Sequence, residues 1–324
     1  MIRSQIIGTG YGLPEKILTN DDLSKMVETS DEWISTRTGI RSRHVAESDE
    51  YTSDFCIKAA EMALKNAGMT AEDVDFVIVA TVTPDKTFPS TAAQIGKILG
   101  IRYGVAAMDV NAACSGFIYA AQIADNMIRL GQIKNALVIG AETLSRIIDW
   151  TDRNTCVLFG DGAGAVVLKA VETEGKNTDT GILATKIYAA AEHYDKLCSD
   201  GGVAFNQKSG FVHMDGKEVF KLAIPCLAQG VEDTLKIAGL QLSDVDWYIP
   251  HQANARIIDS VAKKLEMDDA KVIMTVDHHG NTSAASIPLA LAESVESGKI
   301  KNGDLVVMSS MGAGFTWGGL VVRI

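Results

Sequence analysis

Of the five cysteines in this 324-residue chain, at positions 56, 114, 156, 198 and 226, Cys114 has the setting of a nucleophile. It stands in Asp109-Val110-Asn111-Ala112-Ala113-Cys114-Ser115-Gly116-Phe117, between an apolar strand-like run and a long helical pattern rich in Ala and Ile. A thiol at a helix N-terminus meets the positive end of the dipole and unpaired N–H groups. These favour thiolate and can bring a cysteine pKa from about 8.5 into the range ~3.5–7.5. The small neighbours Ala112, Ala113, Ser115 and Gly116 suit a sharp strand-to-helix elbow. The other four cysteines read as small buried apolar groups. The total of five is odd and no CxxC occurs, so no disulfide framework is expected.

Three further segments carry polar groups at places where a ligand would meet backbone. His251, in Ile249-Pro250-His251-Gln252-Ala253-Asn254, follows an apolar strand at its C-terminal end, the edge where open α/β sheets bind ligands. Taken alone it reads more readily as a satisfied structural histidine. Asn281, in His279-Gly280-Asn281-Thr282-Ser283-Ala284-Ala285-Ser286, also opens a helix, where an N-cap asparagine is the plain alternative. The segment Ser310-Met311-Gly312-Ala313-Gly314-Phe315-Thr316-Trp317-Gly318 follows a strand and would let backbone N–H groups approach an oxyanion. The pair His278-His279 invites a metal reading, but no further ligand spacing in the sequence supports it, and no metal is expected. Gly8-Thr9-Gly10-Tyr11-Gly12 runs into Leu-Pro, not a helix, so it fails as a dinucleotide fingerprint; Gly160-Asp161-Gly162-Ala163-Gly164 leads into a strand and fails for phosphate.

The elements that must position these groups alternate. Strands are expected at Gln5–Ile7, Phe76–Thr81, Val105–Val110, Ala136–Ile139, Ala165–Leu168, Trp247–Ile249, Leu305–Ser309 and Leu320–Val322. Helices are expected over 52–67, 91–99, 115–130, 217–238, 254–265 and 284–297. That pattern is an α/β fold with layered helices and buried strands. A duplication sharpens it. Glu61–Asp75 reads EMALKNAGMTAEDVD and Glu232–Asp246 reads EDTLKIAGLQLSDVD, with eight of fifteen positions identical at an offset of 171. Each copy is a helix, an Ala-Gly stop, an acidic turn and a strand. Asn111 and Asn281 are 170 apart, so the two elbows are counterparts and would meet at one pocket. The halves are taken as residues 1–172, with the cysteine, and 173–324, with the histidine and asparagine.

Bulk properties exclude some classes. The chain is 47% hydrophobic and 22% charged, and its longest apolar runs fall short of the ~18–20 residues of a membrane span. No signal-peptide core is visible in residues 1–20, so a cytoplasmic protein is expected. The formal charge of −11 argues against nonspecific nucleic-acid binding, though not against a local basic patch.

The segments DEWISTRTGIRSRH (31–44), DVNAACSGF (109–117), LFGDGAGAVVL (158–168), IPHQANARI (249–257), HGNTSAASIP (279–288) and GAGFTWGG (312–319) together resemble β-ketoacyl-acyl carrier protein synthase III, across essentially the whole chain. The resemblance implies a thiolase-like fold of two pseudo-symmetric halves with mixed sheets. It also implies decarboxylative condensation of an acyl-CoA primer with malonyl-acyl carrier protein, starting fatty-acid synthesis. Cys114 would take the acyl group, and His251 and Asn281 would hydrogen-bond the malonyl thioester carbonyl as carbon dioxide leaves. Backbone N–H groups of Cys114 and Ala313 would form the oxyanion hole; many relatives have glycine at the second position. Trp33, Arg37 and Arg153 match positions that hold coenzyme A. Gln252, Ala253, Asn254, Ala255 and Arg256 match the acyl-carrier-protein-binding segment, and Phe88 a residue near the acyl pocket across a homodimer interface. No cofactor is implied.

Rivals on the same fold fit less well. A degradative thiolase would want a second cysteine near Ser310–Ala313, and hydroxymethylglutaryl-CoA synthase a glutamate base within these motifs. A secondary-metabolite or polyketide condensing enzyme is the alternative, and a non-catalytic partner subunit would be expected to lack Cys114. Since acyl carrier proteins are acidic, docking is expected to need clustered positive charge, with Arg256, Lys263, Lys264, Lys217 and Lys221 as candidates.

Overall fold

The duplicated sequence has a structural job for nearly every shared residue. In the computed structural model, which describes residues 1–324, both copies fold alike. The first half contains β1 (Ile2–Gly12), β2 (Ile17–Thr19), α1 (Asn20–Leu23), α2 (Asp31–Thr38), β3 (Ser42–His44) and α3 (Thr52–Ala67). It continues through β4 (Phe76–Ala80), α4 (Thr91–Leu99), β5 (Ala106–Val110), α5 (Gly116–Arg129), β6 (Asn135–Thr143) and β7 (Asp161–Glu172). The second half has β8 (Gly181–Ala189), β9 (Leu197–Ser199), β10 (Val212–Met214), α6 (Gly216–Ala238), β11 (Trp247–Pro250) and α7 (Ala255–Leu265). It ends with α8 (Val276–His279), α9 (Ser286–Glu296), β12 (Leu305–Gly312) and β13 (Thr316–Arg323). Helices α3 and α6 both stop at a left-handed glycine, Gly68 at φ 64° and Gly239 at φ 67°. Asp73 and Asp244 then each accept a backbone N–H at 2.8 Å, from Thr70 and Gln241, and so cap a short turn. Asp75 and Asp246 accept from the N–H groups that begin the neighbouring strand, at Lys134, Asn135 and Leu305.

Two main sheets result, ordered β1-β7-β6-β4-β5 and β8-β13-β12-β11, beside the two-stranded pairs β2-β3 and β9-β10. Position by position the pairings agree: β4 with β6 and β11 with β12 are parallel, and the following pairs antiparallel. The counterpart of β5 survives only as a single parallel bridge between Tyr248 and Val272. Strand side chains alternate between faces. Ile78, Val138, Val306 and Met308 point to a central layer made by α5 and α9, through Phe117, Ile118, Ile287 and Leu291. Val77, Val79 and Val167 point outward to α3, and Val307 and Val321 to α6 and α7. The order is therefore helix, sheet, helices, sheet, helix, and both sheets are buried on both faces over most of their width, whereas residues 106–108 of the edge strand β5 are exposed. No helix is long and apolar enough to cross a membrane.

Two expectations change. The glycines at 8, 10 and 12 lie within β1, not beyond it, and the run at 160–164 lies at and within the start of β7. A Cβ at Gly8, Gly10 or Gly12 would come within 2.2–2.3 Å of the carbonyl oxygens of Ala63, Ala59 and Phe55, so these glycines let α3 lie directly on the strand. Strand β8 was not expected at all; its residues from Lys186 on are exposed or only partly buried, which weakens the apolar run. The 172/173 division falls at the end of β7.

Candidate functional site

Two non-glycine residues hold left-handed backbone at matching places: Ala113 at φ 46° and Ser283 at φ 50°, 170 residues apart. Such conformations cost of order 1–3 kcal/mol and persist where the surroundings over-determine them. Each opens a short turn, 113–115 and 283–285, closed by Ser115 N–H to Ala112 O and Ala285 N–H to Thr282 O, both 3.0 Å. Helices α5 and α9 follow at once. The elbows pack face to face: a Cβ on Gly116 would lie 3.4 Å from Ala284 Cβ, and one on Gly140 would lie 2.1 Å from Ala284 O. The pseudo-symmetry thus brings the Cys114 and Asn281 segments together.

The C-terminal glycine loop closes on the same place. Ser310 Oγ donates to Cys114 O at 2.6 Å, Ser115 Oγ to Thr316 O at 2.8 Å, and Thr316 Oγ1 to Ala112 O at 3.0 Å. Gly312 is required here, because a Cβ would sit 2.6 Å from Cys114 N. Ala313 follows it, and its carbonyl accepts from Thr316 Oγ1 at 3.1 Å. The thiol departs from expectation. Burial pushes Cys114 up to about 12, while the Ser283 hydroxyl pulls it back only in part. The resting group is a neutral thiol, because loss of water around the sulfur outweighs the helix end.

His251 is buried, and burial holds it down at about 3, so the ring is neutral. Its Nδ1 lies 2.7 Å from Ser286 Oγ, which also accepts the Gln252 N–H at 3.4 Å. When the Ser286 hydroxyl donates to Nδ1, the single proton of the neutral ring sits on Nε2, which is then the donor. Asn281 is fixed by its main chain, with N–H to Leu158 O at 2.8 Å and O from Gly160 N–H at 3.0 Å. Its Oδ1 accepts the Ser283 N–H at 2.9 Å, which turns the Nδ2 amide outward as the free donor.

Sequence reasoning missed Ser286 and Glu142. Glu142, at the end of β6, is fully buried and accepts from Thr83 Oγ1 at 2.6 Å, Thr81 Oγ1 at 3.2 Å and the Val82 N–H. Burial pushes it up to about 7 against those bonds, and Ser283 adds a further one. Its only signal was an acidic residue within the apolar run NALVIGAET. Ser286 had none beyond its place in HGNTSAAS.

The remaining expected residues fall in three places. Trp33 carries Arg37 over its ring at 4.6 Å and Arg153 at 5.2 Å, so the three form one basic, aromatic cluster. Asn254 Nδ2 donates to Arg37 O at 3.1 Å and joins α7 to that cluster. Within 252–256 the residues divide. Arg256 is exposed, but Gln252 is 1% exposed; it donates to Pro250 O and Ile273 O and accepts from Thr275 and Val276 N–H. Gln252 is therefore a structural strut and not a docking surface; Ala253, Asn254 and Ala255 are half-buried. Phe88 is 81% exposed on the loop after β4.

Comparison with known proteins agrees with this arrangement. Residues 108–190 match the family model 3-oxoacyl-[acyl-carrier-protein (ACP)] synthase III, and residues 235–324 match its C-terminal model. A beta-ketoacyl-[acyl-carrier-protein] synthase III from Rhodospirillum centenum is 57% identical over 99% of both chains. The chain belongs to the 3-oxoacyl-[acyl-carrier-protein] synthase III family. The crystal structure of the family's Aquifex aeolicus member superposes with a TM-score of 0.93 at 47% identity, covering 99% of this chain and 100% of the other. A priming beta-ketosynthase from the R1128 polyketide pathway has the same fold, TM-score 0.92, at 32% identity over 99% and 96% of the chains. The Rhodospirillum centenum and Aquifex aeolicus proteins, at 57% and 47% identity, are thus nearer in sequence than the polyketide enzyme at 32%.

Proposed function

We propose that this chain condenses an acyl-CoA primer with malonyl-acyl carrier protein and so starts fatty-acid synthesis. The observation that carries the reading is the joining of the two elbows, with a neutral Nε2–H donor at His251 and a free amide at Asn281 on the second-half side. In the first half-reaction the Cys114 sulfur attacks the primer thioester and coenzyme A leaves as the thiol, taking up the proton that Cys114 loses. The N–H groups of Cys114 and Ala313 hold the oxyanion. In the second, malonyl thioester loses carbon dioxide, and the electron pair moves onto its carbonyl oxygen. His251 Nε2–H and Asn281 Nδ2–H donate to that enolate, and one such donor is worth about 2.7–4 kcal/mol. The enolate carbon attacks the acyl group on Cys114, the C–S bond breaks, and the cysteine leaves as thiolate and takes a proton from solvent.

Trp33, Arg37 and Arg153 suit a coenzyme A nucleotide, with an aromatic face and two guanidinium groups for phosphate. Arg256, exposed at the start of α7 and 5.7 Å over the Phe220 ring of α6, suits an acidic carrier protein; Lys217 and Lys221 are exposed on α6. Phe88, Tyr103 and Met108 are exposed beside β5, the open edge of the first sheet. A second copy paired along that edge would cover them, so we assign a homodimer. Five unpaired cysteines suit a reducing compartment, the cytoplasm. Incubation with acetyl-CoA and malonyl-acyl carrier protein tests the reading: acetoacetyl-carrier protein should form, with Cys114 as the acylated residue. No condensation product with any primer of graded length would overturn it.

A further inference from the structure

His278 and His279 acquire in the fold the third ligand that the sequence did not supply. Glu293, on α9, sets one carboxylate oxygen against each ring: Oε1 is 2.8 Å from His279 Nε2 and Oε2 is 3.4 Å from His278 Nε2. The ring centroids are 4.1 Å apart, and one ligand atom from each of the three residues lies within 4.8 Å of the others. We propose that His278, His279 and Glu293 form a binding site for a divalent transition-metal ion of the zinc, cobalt or nickel class.

The geometry is close to what such an ion requires. Ligands at roughly 2.0–2.1 Å around a tetrahedral metal stand roughly 3.3 Å from one another. His278 and His279 face different oxygens of the Glu293 carboxylate, at 3.4 Å and 2.8 Å, and one ligand atom from each residue lies within 4.8 Å of the others, so closing on an ion takes shifts of about an ångström. Two imidazoles and one carboxylate are the donor set that zinc and its neighbours take, with room left for water. The surroundings match as well. His278 Nδ1 lies 2.8 Å from Asp277 Oδ1, the outer carboxylate that fixes a ligating imidazole with its Nε2 toward the metal. An imidazole that ligates through Nε2 carries its proton on Nδ1. His279 Nδ1 is buried with no partner in the chain, and the His44 ring lies 5.4 Å away between centroids. His44 Nδ1 donates to Pro14 O at 2.7 Å, which leaves its other nitrogen an acceptor. Two carboxylates, Glu293 and Asp277, stand beside the rings for a dication to meet. His279 is buried, Glu293 half-buried and His278 exposed, so an ion can enter from solvent.

The site spans the last turn before Asn281 and the helix that begins at Ser286. A bound ion would clamp the segment presenting one donor to the helix supporting the other. The inference is independent of the reaction assigned above. It is tested on the purified, metal-stripped full-length chain titrated with Co2+ and then Zn2+. One Co2+ per chain should give the visible absorption of a nitrogen- and oxygen-ligated ion, which Zn2+ then displaces. His278→Ala and Glu293→Gln should each weaken binding by more than about tenfold, and Asp277→Asn by roughly 10–100-fold. His278 is exposed and Glu293→Gln keeps the shape, so both variants should retain the wild-type circular dichroism. Wild type that binds neither ion would overturn the proposal. So would binding that is unchanged in His278→Ala and Glu293→Gln, including binding marked by sulfur-to-cobalt charge transfer.

Discussion

Ser286 Oγ lies 2.7 Å from His251 Nδ1, and this contact fixes which nitrogen of the imidazole can donate toward a substrate. Ser286 also begins α9, the second-half counterpart of the helix that follows Cys114. The duplicated elbow therefore serves twice. One copy presents a sulfur, and the other orients a histidine through a hydroxyl.

Ser286→Ala leaves Nδ1 without a proton donor and frees the ring to exchange tautomers. Losing one buried hydrogen bond is worth about 1–2 kcal/mol, so condensation should fall roughly tenfold. Acyl transfer from acetyl-CoA to Cys114 should be nearly unchanged. The comparison is between radiolabel incorporation and carbon dioxide release. An equal fall in both would assign Ser286 to general packing.

A neutral buried His251 also affects stability. Its value in the fold is about 3, against 6.5 for an ordinary imidazole. Between those values the unfolded chain binds a proton that the folded chain does not, so His251 lowers stability progressively as pH falls from 6.5 toward 3. Thermal melts of wild type and His251→Gln across that window should converge or cross as pH drops, since the variant lacks this penalty. Parallel curves would mean that His251 protonates in the fold.

Gly312→Ala places a methyl 2.6 Å from Cys114 N, against backbone that cannot move aside as a side chain would. Overpacking of this kind costs about 1–3 kcal/mol. The larger effect should be on acylation, since the loop and the nucleophile turn must separate. Stopped-flow release of coenzyme A should slow while the melting temperature falls by only a few degrees. Normal acylation would remove this loop from the oxyanion site.

Arg256→Glu should raise the KM for malonyl-acyl carrier protein with acetyl-CoA acylation nearly constant, because a rim charge acts mainly on association. Raising ionic strength from 0.1 to 1 M shortens the Debye length from about 10 Å to 3 Å and should reproduce the effect in wild type. Kinetics indifferent to both changes would place docking elsewhere.

The parts of this molecule legible in its sequence are those where one residue has one local task. The Ala-Gly stops, the capping aspartates and the paired Asp75 and Asp246 recur because each closes a short-range bond, and they disclosed the duplication. Cys114, His251 and Asn281 stood out because they follow buried strands or open helices. Features made by distant contacts stayed hidden. Ser286 reaches His251 across 35 positions, and Glu142 lies behind the site on a different strand. Gln252 shows the opposite failure: its neighbours face solvent in part, but its amide fills four backbone positions inside. The glycines of β1 obscured a strand of 11 residues because they face a helix backbone and not a side-chain core. The thiol at 114 sits where the helix end was expected, and only the packing around it reveals that burial dominates.

The central claim is that the two halves divide the chemistry, with Cys114 taking the acyl group and His251 and Asn281 holding the enolate. Its most direct test is a pair of assays on His251→Ala and Asn281→Ala: transfer of labelled acetyl from coenzyme A to Cys114, and release of carbon dioxide from malonyl-acyl carrier protein. The account requires that both variants still label Cys114 substantially, as located by peptide mapping, while carbon dioxide release and condensation fall about 100-fold or more. Equal loss of labelling and decarboxylation, or a label on any other cysteine, would contradict it.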